Sequence, residues 1–187
     1  LMSMGPWGVF NASTSATTQI NRYTGGETLR LSNLPIPEYS MLTHPVKEIE
    51  WHKIQNQPYF VIVSSPDEKE AGFDGSSNNS RSNLLLSKIE EAIPHLLSGS
   101  KLLSTEMIQQ PDNYYYSRHN RYLPFPVYRA KFDDPESTWY HVDVTTGEIV
   151  SRVTDASRRE RWLFNGLHSL DFQFLWQKRP LWDLVVI

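Results

Sequence analysis

The chain contains no cysteine. Structural disulfides, thiolate metal sites and a cysteine nucleophile are therefore excluded, although a thiol-free chain suits oxidising and reducing compartments alike. A long hydrophobic run is also missing. A membrane-crossing helix needs about 20 apolar residues in succession, and none of the 187 residues belongs to such a run. Nor is positive charge in excess: the formal net charge of -3 argues against a nucleic-acid partner, whose phosphates demand a basic surface. No Gly-x-Ser-x-Gly elbow, phosphate-cradling glycine loop or HExxH helix occurs. His44, His52, His119, His141 and His168 never fall three to a motif, so the sequence points to neither a catalytic nor a metal centre.

Aromatic residues, at 12 %, exceed what a minimal core needs and leave some rings for an interface or a membrane boundary. The two ends add context. The C-terminal RPLWDLVVI stops inside an apolar run, and Trp176 and Trp182 flank Lys178 and Arg179, the arrangement of interfacial aromatics and snorkelling bases at a membrane entry. We expect a piece of a longer membrane protein, with residues 1–33 as a linker or arm after one membrane helix and residues 157–187 as a juxtamembrane helix leading into the next.

Between these ends the pattern is that of an α+β fold with antiparallel sheets packed on helices. Residues 34–45 carry Pro35, Pro37 and Pro45 and leave room for one short helical turn. From Val46 to Ser64, alternation on either side of Gln55-Asn56-Gln57 predicts a hairpin; its second strand, Tyr59 to Val63, is apolar throughout, as suits a strand covered on both faces. A polar stretch around Asp74-Gly75 reads as a surface loop. Ser82 or Asn83 then caps a helix carrying Leu85, Ile89, Ala92, Ile93 and Leu96 up to Gly99, with Pro94 set to kink or split it. Leu102 to Gln110 is extended, and a loop follows that holds Tyr114, Tyr115, Tyr116, Arg118, His119 and Arg121. Three strands come next. Tyr128, Ala130 and Phe132 form one face of the first, with Arg129 and Lys131 on the other, and Thr146-Gly147 makes the tight turn between the second and third. Ser157 with Glu160 predicts the capping box of a last helix. The two strand regions echo each other at a period of about 70 residues, so residues 34–78 and 79–156 read as two copies of one small unit, the first degenerate.

The segment YHVDVTTGEIV at 140–150 resembles the closing strand pair of the PepSY domain family, a strand ending in Val-Asp followed by a Thr-Gly turn and a short strand. Upstream LLLSKIEEAIPHLL is similar to its helix, and downstream RRERWLFNGLHSLDF resembles the passage from such domains into a membrane helix. The resemblance covers roughly residues 80–187. It implies an extracytoplasmic, periplasm-facing domain of an inner-membrane protein that binds or regulates a peptide or protein partner and carries no catalytic activity or cofactor of its own. The alternative it implies is the soluble part of a haem-containing membrane reductase serving iron-siderophore uptake, with the haem held by histidines of the membrane helices. A binding module requires an exposed edge strand or apolar patch on the domain; a reductase requires those histidines. The candidate ligand-binding residues are Arg161, Asn165, His168 and Asp171. The first three share a helical stripe at spacings of four and three, and Asp171 follows closely.

Overall fold

The computed structural model describes residues 13–37, 45–65, 67–73, 78–117 and 122–163. Two antiparallel sheets and three helices make an α+β fold. Each half is a helix followed by an up-and-down meander. In the first, α1 (Ser13–Thr24) precedes β1 (Glu48–Ile54), β2 (Gln57–Ser65) and β3 (Glu68–Gly72), paired in the order β1-β2-β3. In the second, α2 (Asn78–Ala92) precedes β4 (Leu102–Ile108), β5 (Val127–Phe132), β6 (Trp139–Asp143) and β7 (Ile149–Val153), paired β4-β5-β6-β7. A short α3 (Asp155–Glu160) closes the described chain.

The hairpin of β1 and β2 forms as the alternation predicts. Gln55 and Asn56 both adopt positive φ (49° and 64°), the conformation that matches a two-residue turn to the twist of its strands. That turn also caps α1. The amides of Gln55 and Asn56 donate to the carbonyls of Tyr23 and Thr24 (3.1 and 2.9 Å), and Gln55 Nε2 donates to the Arg22 carbonyl (2.7 Å), so the orphan carbonyls of a helix end find partners. All of Tyr59 to Val63 is buried. Tyr59, Val61 and Val63 face the main core, while Phe60 and Ile62 pack with Val46 and Ile49 on the far side.

One apolar cluster joins the two halves, with Tyr23, Ile54, Tyr59 and Val61 from the first and Leu85, Ile89, Phe132 and Tyr140 from the second. Removing the Ile89 side chain, which is fully buried, to alanine would cost about 2–5 kcal/mol through lost transfer energy and the cavity left behind. Pro94 ends α2 as expected: a 3-10 turn, Ile93–His95, takes over there.

Three local expectations are corrected. The Ser- and Thr-rich stretch read as an arm contains α1, and burial explains it: Gln19 and Tyr23, one helical turn apart, are shielded by the second half, a tertiary contact that overrides weak helix propensity. The polar stretch read as a loop contains β3, whose Glu68, Lys69 and Glu70 suit an edge strand. The last helix is capped by Thr154 in place of Ser157. The Ser157 amide donates to Thr154 Oγ1 (3.3 Å) and the Thr154 amide to Ser157 Oγ (2.8 Å), which completes a reciprocal capping box. Among the described residues no helix is long and apolar enough to cross a membrane. The expected juxtamembrane segment beyond 163 lies outside them.

The halves meet at the β6–β7 turn. Asp143 Oδ1 accepts from the Thr145 amide and Oδ2 from Thr146 Oγ1 (both 2.8 Å), so the Val-Asp-Val-Thr-Thr-Gly sequence at 142–147 builds a self-bonded turn. Two tyrosines of the first half hold it: Tyr59 OH donates to the Thr146 carbonyl (2.7 Å) and Tyr23 OH to the Gly147 carbonyl (2.9 Å). Gly147 has φ +74°, and a Cβ there would lie 2.6 Å from Tyr59 OH and 3.1 Å from Ile54 Cδ1. We expect Tyr59→Phe to lose about 1–3 kcal/mol, the cost of an unsatisfied buried carbonyl. Gly147→Ala should lose at least about 1 kcal/mol from backbone strain alone, with the clash added. Urea unfolding at neutral pH checks both.

Candidate functional site

The face of the second sheet turned away from the core is polar. Alternation along β5 and β6 puts Tyr128, Ala130, Tyr140 and Val142 inward, and so puts Arg129, Lys131, Trp139, His141 and Asp143 outward. Register then aligns them. Glu106 of β4 pairs with Arg129, Arg129 with His141, and Lys131 with Trp139.

Arg129 is 4 % exposed and its guanidinium meets three acceptors. Nη1 donates to Glu106 Oε1 (3.0 Å), Nε donates to His141 Nε2 (2.7 Å), and Nη2 is ion-paired with Asp112 Oδ2 (2.7 Å). Because a guanidinium can only donate, the bond to His141 assigns the imidazole proton to Nδ1. His141 is fully buried. Burial first, and then the adjacent Arg129 charge, depress its pKa to about 4, so it is neutral at physiological pH.

The aromatic loop closes over this row. Asp112 Oδ1 accepts the amides of Tyr114 and Tyr115 (2.9 and 2.8 Å), a local turn that aims both rings at the sheet. Tyr115 stacks on His141 (centroids 4.8 Å apart, 18° between planes), and Tyr114 meets Trp139 edge-on (5.1 Å). Cations sit over the same indole: Lys131 Nζ at 4.6 Å and the Arg158 guanidinium at 4.3 Å from its centroid. The carboxylates respond to these neighbours. The hydrogen bond from Lys131 holds the Glu106 carboxyl below its ordinary range against the opposing effect of burial, with Arg129 adding to it. Burial pushes Asp112 up, but the Tyr114 and Tyr115 amides and Arg129 together bring it below the usual value.

Of the four residues singled out in the sequence, Arg161 is described. It is buried, donates from Nε to the Asn113 carbonyl (3.3 Å) and lies over the Tyr116 ring (4.7 Å), so it ties the end of α3 to the aromatic loop. Asn165, His168 and Asp171 fall outside the described residues, as do Arg118, His119 and Arg121 of the loop. The Arg129 row was missed, because its members are scattered over three strands and a loop. The available signal was the pair of alternating charges in β5.

Chemically, this network is a fastener. The Nε2 lone pair of His141 is held by a guanidinium, which disqualifies it as a general base toward a substrate. Its use is to pin the 111–117 loop on the sheet.

A second polar group lies where the two halves touch. Glu50 and His52 share one face of β1, and Glu148 follows the β6–β7 turn. His52 Nε2 is 3.1 Å from Glu50 Oε2, and Nδ1 is 3.8 Å from Glu148 Oε1. The His52 ring stacks on Tyr59 (5.6 Å). A separate cleft of about 490 Å³ is lined by Glu27, Thr28, Arg30 and Lys53 among others. Lys53 is already engaged there with the carbonyls of Gly25 and Glu27.

The sign of the pH dependence follows from His141. Its folded pKa, about 4, lies below the unfolded value of roughly 6.5, so its contribution is complete above pH ~6.5 and is lost as pH falls toward 4, up to roughly 3 kcal/mol. The depressed Glu106 and Asp112 continue the loss below the ordinary carboxylate range. Urea midpoints measured from pH 7.5 to 3.5 should fall in that window, and His141→Gln should flatten the upper limb while lowering stability at pH 7.5. No family model, curated protein or solved structure matches the chain.

Proposed function

We propose that the chain is the extracytoplasmic, PepSY-type binding or regulatory domain of an inner-membrane protein, without catalytic activity of its own, and that it holds an extended peptide segment of a partner along β4. The observation that carries this reading is the condition of that edge. Among the described residues β4 pairs with β5 on one side and with no strand on the other, and five of its seven residues are exposed.

The other sheet edges are guarded in the ways that discourage pairing. β1 carries Glu48, Glu50 and Lys53, β3 carries Glu68, Lys69 and Glu70, and β7 carries Arg152 paired with Glu136 (2.5 Å). β4 contains neither proline nor lysine, and its one charge, Glu106, is neutralised inward by Arg129 and Lys131 (3.0 and 2.8 Å). Leu103 and Met107, 65 % and 39 % exposed, offer apolar contacts beside free main-chain groups. A bulge at Leu103 interrupts the ladder, which leaves Ser104–Ile108 as a regular template. Main-chain pairing there would supply affinity, and the flanking side chains selectivity. The twofold helix-then-meander architecture and the Val-Asp-Val-Thr-Thr-Gly turn, with Asp143 and Thr146 buried, support the family part of the reading.

Peptides selected from a random display library against the purified domain should protect the amides of 104–108 from hydrogen exchange. Met107→Lys should weaken them tenfold or more at unchanged circular dichroism. Selected peptides that leave β4 exchange untouched would sink the proposal.

A further inference from the structure

We infer that Glu50, His52 and Glu148 form a binding site for a divalent transition-metal ion, of the zinc or manganese class, that links the first sheet to the turn of the second. The site is assembled by the fold. Alternation along β1 turns residues 50 and 52 to the same face, and the register places His52 opposite Tyr59. Stacking on the Tyr59 ring orients the imidazole. The hydroxyl of that same tyrosine holds the Thr146 carbonyl at 2.7 Å, which fixes the turn, and the Glu148 carbonyl accepts the Asp143 amide (2.9 Å), which fixes the backbone that carries the third ligand.

The donor spacing fits one ion. One atom from each residue can be chosen so that all three lie within 4.8 Å of one another. Ligands bound at about 2.0–2.2 Å in tetrahedral or octahedral geometry stand roughly 3–4.4 Å apart, so small rotations of two partly exposed glutamates close the shell. Charge points the same way. Two carboxylates converge on one imidazole, and among the described residues neither Glu50 nor Glu148 forms a salt bridge with lysine or arginine; His52 is the partner of both. Even an imidazolium would leave a net negative group, which a divalent cation neutralises. One nitrogen and two oxygens suit zinc or manganese, whereas magnesium and calcium prefer an all-oxygen set. Because the ligands come from both halves, the bound ion would act as a clamp, stabilising the folded state by mass action.

Full chain stripped with EDTA and desalted should bind one zinc ion per chain in calorimetric titration and gain thermal stability as zinc is added. Magnesium at the same concentration should do neither. Glu148→Gln, nearly isosteric and on the surface, should reduce zinc affinity at least tenfold with unchanged circular dichroism, and His52→Ala should do the same. Absence of saturable zinc binding by the stripped protein would overturn the inference, as would binding of equal affinity in both variants. Peptide exchange protection at β4 is a separate readout, so this site and the β4 edge stand or fall independently.

Discussion

Two tyrosine hydroxyls reaching across a core hold the molecule in register. Tyr23 and Tyr59 come from a helix and a strand of the first half, and both donate to carbonyls of the β6–β7 turn in the second. Those carbonyls lie beside residues with no solvent access, Thr146 among them, so without the hydroxyls their desolvation would be uncompensated. The phenols stay protonated in this setting because burial raises their pKa well above the ordinary value, which keeps them donors at any physiological pH. The turn must therefore present its carbonyls at one place, and Gly147 at positive φ allows it. The two meanders are thereby joined through one shared core.

From that constraint the polar face follows. With Tyr140 and Val142 committed to the core beside the held turn, Trp139, His141 and Asp143 must point the other way. Glu106 and Arg129 are brought alongside by strand pairing. Arginine fits the central position because its planar fork meets Glu106, Asp112 and His141 at once, where an ammonium would present a single point charge. A buried charge arrangement of this kind adds little net stability over an apolar packing of the same shape. Its effect is specificity: Asp112 holds the loop that carries Tyr114 and Tyr115, and those rings can seat only where the guanidinium directs them.

Periodicity made the sheets legible in the sequence. Tyr128, Ala130 and Phe132 against Arg129 and Lys131 read correctly as two faces, and Tyr59 to Val63 read correctly as a strand buried on both sides, because side-chain alternation is local information. Pro94 and Gly147 were legible because each has a conformational requirement of its own. Helix α1 was not legible: its sequence STSATTQINRYT shows no apolar stripe, and it is Gln19 and Tyr23 meeting the second half that fixes it. The same limit hid the polar sites. Arg129 with Asp112, and His52 with Glu148, are neighbours only after residues 17 and 96 positions apart in sequence have been brought together by the fold, so no motif could announce them.

Among the described residues, the distribution of covered and bare surface bears on where the proposed partner would attach. One face of each sheet is taken by the shared core. The far face of the first is covered around Phe60 and Ile62, with Trp51 Nε1 donating to the Pro35 carbonyl (2.9 Å) to strap the 34–37 segment beside it. The far face of the second lies under the 111–117 loop, held by Arg129 and, through Asn113, by Arg161. Edges remain. Three carry charged side chains of their own, and the fourth has its single charge drawn inward to the network that secures the loop. Neutralising Glu106 for the sake of Arg129 is thus also what leaves β4 without an electrostatic guard. The same interaction that closes one surface of the sheet thus bears on the proposed addition of a partner strand at its edge.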